Sequence, residues 1–271
     1  MTNIKPYAEV IGDPISHSKS PIIHSFWLKK LGIDADYRAT HVKPEGLADY
    51  FANRRADPLW RGCNVTIPHK IATMDHVTDP GDVRASIGAM NTVIRDNDAL
   101  IGTNTDAGGF FMPLADVGLE GEVAIVIGSG GAANAVLFAL SRVGVSAVTL
   151  LVRNPLKGAA LLARFGLKGQ VLSMSARLPP AKLLVNATSL GMVGQEPLVI
   201  DLAPLPDDAI VYDIVYAPLT TPLLAAAEAR GLETVDGLEM LVGQAAAAFE
   251  LFFGQPAPRE HDAELRALLT A

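Results

Sequence analysis

Apolar and polar positions divide most of the chain into short apolar runs and longer segments of helical spacing. The segment Val123–Ile127 is entirely apolar, which is typical of a parallel strand that is buried on both faces. Runs and helical segments then alternate, with strands predicted at 122–127, 147–152, 183–186 and 209–215 and helices at 132–143, 156–165 and 222–230. This alternation predicts a doubly wound parallel sheet from about residue 107 to residue 237.

The first hundred residues alternate in the same way, but with shorter elements. Strands are predicted at 7–11, 37–42 and 62–66, helices at 22–31 and 47–53, and a hairpin of 92–95 with 99–103. Near the C-terminus one apolar stripe recurs at helical spacing, formed by Leu238, Leu241, Val242, Ala245, Phe249 and Phe252. Because an amphipathic helix needs an apolar partner, we expect this helix to pack on the first part of the chain.

The patterns together predict an α/β protein of two domains. Residues 1–106 plus 238–271 form an N-terminal α/β domain, and residues 107–237 form a Rossmann-like doubly wound domain inserted into it. The C-terminal helix returns to the first domain. A length of 271 residues agrees with two domains of ordinary size.

Composition and charge narrow the possible partners. With 49% hydrophobic and 19% charged residues, the chain is not of the disordered class, and its net charge of −7 argues against a nucleic-acid partner. No apolar run reaches the roughly 18 residues of a membrane span. A single cysteine, Cys63, expected to be an inert core residue, and a start at 1–6 without a signal-peptide pattern favour the cytoplasm. The histidines form no ligand pattern, so we expect no metal. Either a monomer or a homodimer fits.

The strongest local motif is a glycine-rich turn between a predicted strand and a predicted helix. Residues 128–133 read Gly-Ser-Gly-Gly-Ala-Ala, which fits the dinucleotide pattern Gly-x-Gly-x-x-Ala. Gly128 permits a tight turn, Gly130 lets the backbone approach a pyrophosphate, and the helix N-terminus offers free N–H groups to the anion. The alternative is an ordinary glycine-rich turn, which the strand–turn–helix context disfavours.

The end of the next predicted strand bears on the choice between NAD and NADP. An NAD-specific fold places an acidic residue there for the ribose 2′-hydroxyl, whereas this chain has Val152, Arg153 and Asn154. A guanidinium can pair with a 2′-phosphate, and Lys157 adds charge. NADP is therefore favoured, the alternative being that Arg153 is only a solvated residue at a strand end.

A serine-rich loop precedes the first predicted helix. If the loop were extended, Ser16 and Ser18 would point to the same side, and their hydroxyls could hold a carboxylate. Serine-rich loops are more often turns or caps, and Ser20 before Pro21 is also typical of an N-cap followed by a first-turn proline.

Further polar residues follow apolar runs in the first domain. Thr66 and Lys70 come just after a strand, and Asn91 and Asp106 each emerge from an apolar segment. These side chains can recognise a polyhydroxylated ring, and a Lys–Asp pair can transfer a proton in a ketone reductase. Taken singly, each is more simply a turn or surface residue, and His69 is more simply a loop histidine than a base.

Seven motifs stand in order along the chain, at 12–21, 64–70, 88–92, 102–106, 186–192, 216–223 and 237–245. With the glycine loop, this ordered set resembles the shikimate dehydrogenase family over nearly the whole chain. The resemblance implies the reversible, NADPH-dependent reduction of 3-dehydroshikimate to shikimate, on the chorismate route to aromatic amino acids. It also implies that the first domain binds the substrate and carries catalysis, and that the second binds NADP.

The resemblance assigns roles to individual residues. Lys70 and Asp106 are implied as catalytic. Substrate binding is implied for Ser16, Ser18, Thr66, Lys70, Asn91, Asp106, Tyr216 and Gln244. Cofactor binding is implied for Asp82, Gly128, Ser129, Gly130, Gly131, Ala132, Val152, Arg153, Asn154, Lys157, Ile214 and Gly237. The residues that flank Arg153 depart from the family's usual pattern, which narrows the margin of NADP over NAD.

The implied chemistry leaves three alternatives open. In the main hypothesis Lys70 stabilises and protonates the developing oxyanion, and Asp106 orients Lys70, so the two titrate as one coupled unit. One alternative is a quinate/shikimate dehydrogenase that uses NAD or NADP. A second is a catalytically silent ligand sensor, which the presence of both Lys70 and Asp106 disfavours. A third is a bare Rossmann binding module, which leaves the first-domain motifs unexplained.

Overall fold

The computed structural model describes residues 5–271. The prediction that the start of the chain carries no signal peptide concerned residues 1–6, and residues 1–4 of these lie outside the described residues. The chain divides into two compact units. The first comprises the chain up to Thr105 together with Val242–Ala271, and the second comprises Asp106–Leu241. Within residues 5–271 no helix is long and apolar enough to cross a membrane.

The first unit is built on a mixed five-stranded sheet. In chain order the strands are β1 (Tyr7–Gly12), β2 (Asp36–His41), β3 (Trp60–Val65), β4 (Thr92–Asp96) and β5 (Ala99–Thr103), and their spatial order is β2-β1-β3-β4-β5. β1 runs parallel to both neighbours and is buried at every position. The predicted hairpin is confirmed, since Asp96 pairs with Ala99 and Asn97 takes a left-handed φ of 52° in the turn.

Three helices follow these strands in the first unit: α1 (Ser20–Leu31), α2 (Leu47–Ala56) and the single turn α3 (Val83–Ser86). α1 ends at Leu31, and the next residue, Gly32, adopts the left-handed conformation that often closes a helix. The prediction of Ser20 as the N-cap is wrong by one residue. Lys19 occupies that position, and the Ser20 N–H is instead satisfied by the Ser18 hydroxyl, 3.3 Å away.

The chain closes with α8 (Gly237–Phe253) and α9 (Asp262–Thr270). The C-terminal part of α8 belongs to the first unit, where the Phe249 ring meets the buried Trp27 ring edge-on at 5.5 Å. Phe252 lies 6.4 Å from Tyr37, between ring centroids. The predicted return of the apolar stripe to the first part of the chain is confirmed, because its partners are the aromatic side chains of α1 and β2.

The second unit is a parallel six-stranded sheet. Its strands are β6 (Val123–Ile127), β7 (Ala147–Leu151), β8 (Gly169–Leu172), β9 (Leu183–Asn186), β10 (Ile210–Asp213) and β11 (Glu233–Val235), arranged β11-β10-β9-β6-β7-β8. Its helices are α4 (Asp106–Phe111), α5 (Gly131–Val143), α6 (Pro155–Arg164) and α7 (Pro222–Ala229). The strand order reverses between β6 and β9, as in a dinucleotide-binding fold, so the predicted doubly wound sheet is confirmed.

Burial on both faces explains the wholly apolar β6. Ala124 and Val126 pack into one core with α4 and α5, whereas Ile125 and Ile127 pack into a second core with α7. The pattern missed the two edge strands, β8 and β11. Both are short and partly exposed, so neither carries an apolar run.

Candidate functional site

A buried amide cluster lies beside β4 in the first unit. The Asn91 Oδ1 accepts a hydrogen bond from the Thr105 N–H at 2.7 Å, and its Nδ2 donates to the Thr105 hydroxyl at 2.9 Å and to the Gln244 Oε1 at 3.2 Å. Asn91 and Gln244 are 2% and 7% exposed. Two predicted substrate-binding residues, 153 positions apart in the chain, are thus joined directly.

Residues to which the sequence analysis assigned no role extend this cluster into the sheet. The Tyr37 hydroxyl donates to the Asn64 Oδ1 at 2.7 Å, and the Asn64 Nδ2 donates to the Thr92 hydroxyl at 3.2 Å. Thr92 in turn donates to the Asn91 Oδ1 at 3.2 Å. Burial raises the pKa of the Tyr37 hydroxyl, so it remains a donor. The signal that could have found Asn64 was its place in the motif at 64–70.

The serine loop is a turn, so the condition of an extended loop does not hold. The Ser18 N–H donates to the Ile15 carbonyl at 3.1 Å, which places exposed Ser16 within the turn. The loop is packed against the Thr66 segment, because a Cβ on Gly12 would lie 2.6 Å from the Thr66 Cγ2. The start of the loop therefore lies beside the segment that carries Thr66.

Lys70 follows a tight turn after β3. The His69 N–H donates to the Thr66 carbonyl at 2.9 Å, and the Lys70 carbonyl accepts from the Met90 N–H at 2.8 Å. This backbone bond places the half-buried Lys70 beside the segment that carries Asn91. The His69 ring is 1% exposed, and its Nε2 lies 2.6 Å from the Val42 carbonyl, where it can only donate.

Two other predicted site residues lie elsewhere. Asp106 opens α4 at the start of the second unit and is 4% exposed. Asp82 is an exposed residue with a left-handed φ of 52° before α3, in the first unit. The N-terminus of that helix is capped by Asp79, whose carboxylate accepts hydrogen bonds from the N–H groups of Val83 and Arg84.

In the second unit, the glycine loop lies at the point where the strand order reverses. Gly128 has a φ of 118°, and a Cβ there would lie 2.8 Å from the Ala187 carbonyl oxygen. Gly130 faces open space, and no side chain caps the N-terminus of α5. Open space, small residues and uncapped N–H groups fit the pyrophosphate of a dinucleotide. Ser129 lies on the same turn, and Gly131 and Ala132 are the first two residues of α5.

The residues after β7 separate into structural and exposed ones. Val152 is 2% exposed, and the Asn154 Oδ1 caps α6 by accepting from the Lys157 N–H at 3.3 Å. Arg153 and Lys157 are exposed. Two cations beside a helix N-terminus fit a 2′-phosphate.

The remaining predicted residues lie after β10 and at the start of α8. A Cβ on Gly237 would collide with the carbonyl oxygens of Ile214 and Val215, so only glycine allows this close approach. Tyr216 is partly buried, and burial raises the pKa of its hydroxyl. Asp213, buried at the end of β10, was missed by the sequence analysis because it lies in an apolar run without a motif.

Cys63 is a buried free thiol whose pKa is raised by burial, as expected of an inert core residue. Among the described residues, no group of three or more His, Cys, Asp or Glu side chains could hold a metal ion.

The fold and the glycine loop define a Rossmann-type dinucleotide-binding protein with a second α/β unit. Residues 10–93 match the model of the shikimate dehydrogenase substrate-binding domain, and residues 237–264 match that of the shikimate 5′-dehydrogenase C-terminal domain. A shikimate dehydrogenase (NADP⁺) of Sphingopyxis alaskensis is 67% identical over 267 residues, which cover 98% of this chain and 97% of the relative. The chain belongs to the shikimate dehydrogenase family.

Two solved structures show how far the fold alone identifies the substrate. Shikimate 5-dehydrogenase of Thermus thermophilus, in complex with NADP(H) and shikimate, is 36% identical, has a TM-score of 0.86 and covers 97% of this chain and 99% of its own. A 5-ketofructose reductase of Gluconobacter is 29% identical with a TM-score of 0.87, covering 98% and 99%. Because the two TM-scores are almost equal, the fold by itself does not distinguish the two substrates.

Proposed function

We propose that this chain catalyses the reversible, NADPH-dependent reduction of 3-dehydroshikimate to shikimate, in the route to aromatic amino acids. The observation that carries the proposal is the 67% identity, over nearly the full length of both chains, to a shikimate dehydrogenase (NADP⁺). The dual quinate/shikimate and silent-sensor alternatives are not favoured by these relatives. The first unit is assigned the substrate and the second the cofactor.

The polar residues of the first unit are proposed to recognise the substrate. Asn91, Gln244 and Thr66 present amide and hydroxyl groups that suit ring hydroxyls, and Asn91 and Gln244 are held in place by mutual hydrogen bonding. Ser16 and Ser18 are proposed to hold the carboxylate, and Tyr216 of the second unit is proposed as a further substrate contact. Pre-ordered donors favour binding because little side-chain entropy remains to be lost.

The second unit is proposed to bind NADP. The segment from Gly128 to Ala132 would contact the pyrophosphate, and Arg153 and Lys157 would contact the 2′-phosphate. Asn154, whose side chain caps α6, and Val152, which is buried, are proposed as further contacts to the cofactor. Ile214 and Gly237 are proposed as contacts at the nicotinamide end, whereas Asp82 is assigned to the cofactor only by family resemblance.

The bound cofactor supplies the hydride for reduction of the ring ketone. Lys70 is proposed to stabilise the negative charge that develops on the ketone oxygen and to donate the proton to it. Asp106 is proposed to orient Lys70.

Steady-state rates with shikimate and with quinate, each with NADP⁺ and with NAD⁺, test the proposal. We expect the highest kcat/KM for shikimate with NADP⁺. Comparable rates with quinate or with NAD⁺ would support the dual-specificity alternative, and tight shikimate binding without turnover would support the sensor.

The enzyme is proposed to act in the cytoplasm as a monomer or a homodimer. Light scattering during size-exclusion chromatography separates the two oligomeric states.

A further inference from the structure

A buried carboxylate joins two loops at the carboxyl edge of the parallel sheet. Asp213 is 0% exposed at the end of β10. Its Oδ1 accepts from the Asn186 Nδ2 at 2.9 Å and from the Val215 N–H at 3.0 Å, and its Oδ2 accepts from the Thr221 hydroxyl at 2.7 Å. Such a buried acceptor set is costly to leave incomplete.

The donors stand at both ends of one loop. Val215 is the second residue after β10, and Thr221 ends the segment as the N-cap of α7, where its hydroxyl accepts from the Leu224 N–H at 3.3 Å. The carboxylate of Asp213 thus closes residues 214–221 into one bridged loop. We call this segment the 214–221 loop.

The third donor connects the 214–221 loop to the loop after β9. The Asn186 Oδ1 accepts from the N–H and the hydroxyl of Thr188, at 3.1 and 2.7 Å, and its Nδ2 also donates to the Leu190 carbonyl. Ala187 and Thr188 are the residues against which Gly128 packs. Asp213 therefore connects the 214–221 loop, through Asn186, to the residues against which the glycine loop packs.

The same network determines where Ile214 lies. The Ile214 N–H donates to the Asn186 carbonyl at 3.2 Å, and the next N–H, of Val215, donates to Asp213. The carbonyls of these two residues contact Gly237 so closely that no side chain fits there. The backbone of Ile214, Val215 and Gly237 thereby forms one fixed surface.

We infer that Asp213 is a positioning residue for hydride transfer, because it holds the 214–221 loop so that Ile214 and Gly237 present one fixed surface to the nicotinamide end of the cofactor. The inference rests on the proposed function. Asp213 acts through the loop and touches neither substrate nor cofactor. The pyrophosphate and 2′-phosphate contacts lie after β6 and β7, so loosening the loop should impair hydride transfer more than cofactor binding.

A matched pair of variants at Thr221 tests this inference. Thr221→Val removes the hydroxyl at nearly constant shape, Thr221→Ser keeps it, and Asp213→Asn adds a change at the acceptor itself. Asp208→Asn is the control, since Asp208 is exposed and pairs with Lys182 just before the same strand. The readouts are kcat, the Kd for NADPH measured directly, and the deuterium isotope effect with NADPH labelled at the transferred position.

For Thr221→Val we expect kcat to fall about 10- to 100-fold while the Kd for NADPH changes by less than about threefold. The isotope effect should rise, because hydride transfer becomes slower relative to product release. Thr221→Ser should recover most of the loss, and Asp208→Asn should match the wild type. Equal losses in kcat and in NADPH affinity would overturn the inference in favour of a purely structural role.

Amide hydrogen exchange of the cofactor-free protein gives a readout besides activity. Peptides covering 214–221 should exchange faster in Thr221→Val than in Thr221→Ser, with no change in peptides of β1 or β3. An active wild type with unchanged exchange and kcat in Thr221→Val overturns only the positioning role. A wild type without shikimate turnover overturns the proposed function itself, and the inference with it.

Discussion

Each unit buries one carboxylate completely, but the partners of the two carboxylates differ. Glu9, in the middle of β1, accepts from the Tyr50 hydroxyl at 2.8 Å, the Trp60 Nε1 at 2.9 Å, the Arg54 Nε at 2.5 Å and the Thr40 hydroxyl. Asp213, at the end of β10, is held by an amide, a hydroxyl and a backbone N–H. Glu9 thus has a cation among its partners, whereas the donors to Asp213 are all neutral.

The two carboxylates therefore have different structural roles: Glu9 connects elements at the centre of a sheet, and Asp213 fixes a loop at the carboxyl edge of a sheet. Glu9 links β1 to side chains of β2, β3 and α2, so its loss would loosen the centre of the first unit. Burial by itself lowers the pKa of Arg54. The hydrogen bond to Glu9 and the negative charge of Glu9 together raise it by more, so the pKa of Arg54 lies above its usual value. Burial raises the pKa of Asp213, and its three donors oppose that shift only in part. The buried, ionised Asp213 therefore lowers the stability of the fold somewhat, while its hydrogen bonds fix the geometry of the loop.

The largest expected effect is loss of stability in acid, and it originates in the first unit. His24 is 0% exposed, its ring stacks on Tyr37 at 3.9 Å, and burial lowers its pKa to about 3. The unfolded chain takes up this proton near pH 6.5 and the folded chain only near pH 3, so stability falls as the pH drops through this window. The loss is up to about 5 kcal/mol.

Urea unfolding of the wild type and of His24→Phe from pH 7 to pH 4 checks this expectation. In His24→Phe the free energy of unfolding should depend less steeply on pH, by the slope that corresponds to the uptake of about one proton. His17→Asn, which alters an exposed histidine, should keep the wild-type slope. Identical slopes for wild type and His24→Phe would contradict it. The raised pKa of Asp213 acts in the opposite direction, because the folded state then holds its proton more tightly than the unfolded chain.

The next effect concerns the chemical step, for which the proposed proton donor, Lys70, lies in the first unit. Lys70→Ala should lower kcat by about 10³-fold, since both charge stabilisation and proton donation are removed. The Kd for NADPH should stay near the wild-type value. Lys43→Ala, at an exposed lysine of the same unit, is the control. Wild-type turnover in Lys70→Ala would remove Lys70 from the mechanism.

A third prediction tests the comparison of the two carboxylates directly. Glu9→Gln should cost about 3 kcal/mol, because it leaves the partly buried Arg54 without its counter-charge. Asp213→Asn should cost less, about 1–2 kcal/mol, because the variant loses only the hydrogen bond from the Thr221 hydroxyl and leaves no cation unpaired.

The two tryptophans separate these effects. Trp27 and Trp60 both lie in the first unit, and Trp60 contacts Glu9 directly. Fluorescence-detected urea unfolding should therefore shift strongly for Glu9→Gln and little for Asp213→Asn, while far-ultraviolet circular dichroism follows both units. Equal fluorescence shifts would show that the two carboxylates do not act on separate units.

The smallest effect concerns cofactor choice in the second unit. Arg153→Ala should weaken NADPH binding about tenfold and leave NADH binding unchanged, because only the 2′-phosphate loses a partner. Isothermal titration with each cofactor measures this, with the exposed Arg177→Ala as the control. An unchanged ratio of NADPH to NADH affinity would sink the assignment of Arg153.

Prediction from the sequence succeeded where burial left a repeating pattern. The apolar β6, the helical stripe of α8 and the turn at Asn97 each follow from local chemistry. Prediction failed at edges and in loops. β8 and β11 have too little buried surface to show an apolar pattern. At the start of α1, the Ser18 hydroxyl accepts the hydrogen bond from the Ser20 N–H, whereas the sequence predicted Ser20 as the capping residue.

The sequence by itself determined the strand and helix succession, the glycine loop and the family, because these depend on local spacing and on ordered motifs. Only the tertiary structure decided that Asn91 meets Gln244 across 153 positions and that Asp213 bridges the two ends of one loop. Hydrogen bonds between distant residues depend on how strands and helices pack. No spacing along the chain records which buried donors and acceptors will meet.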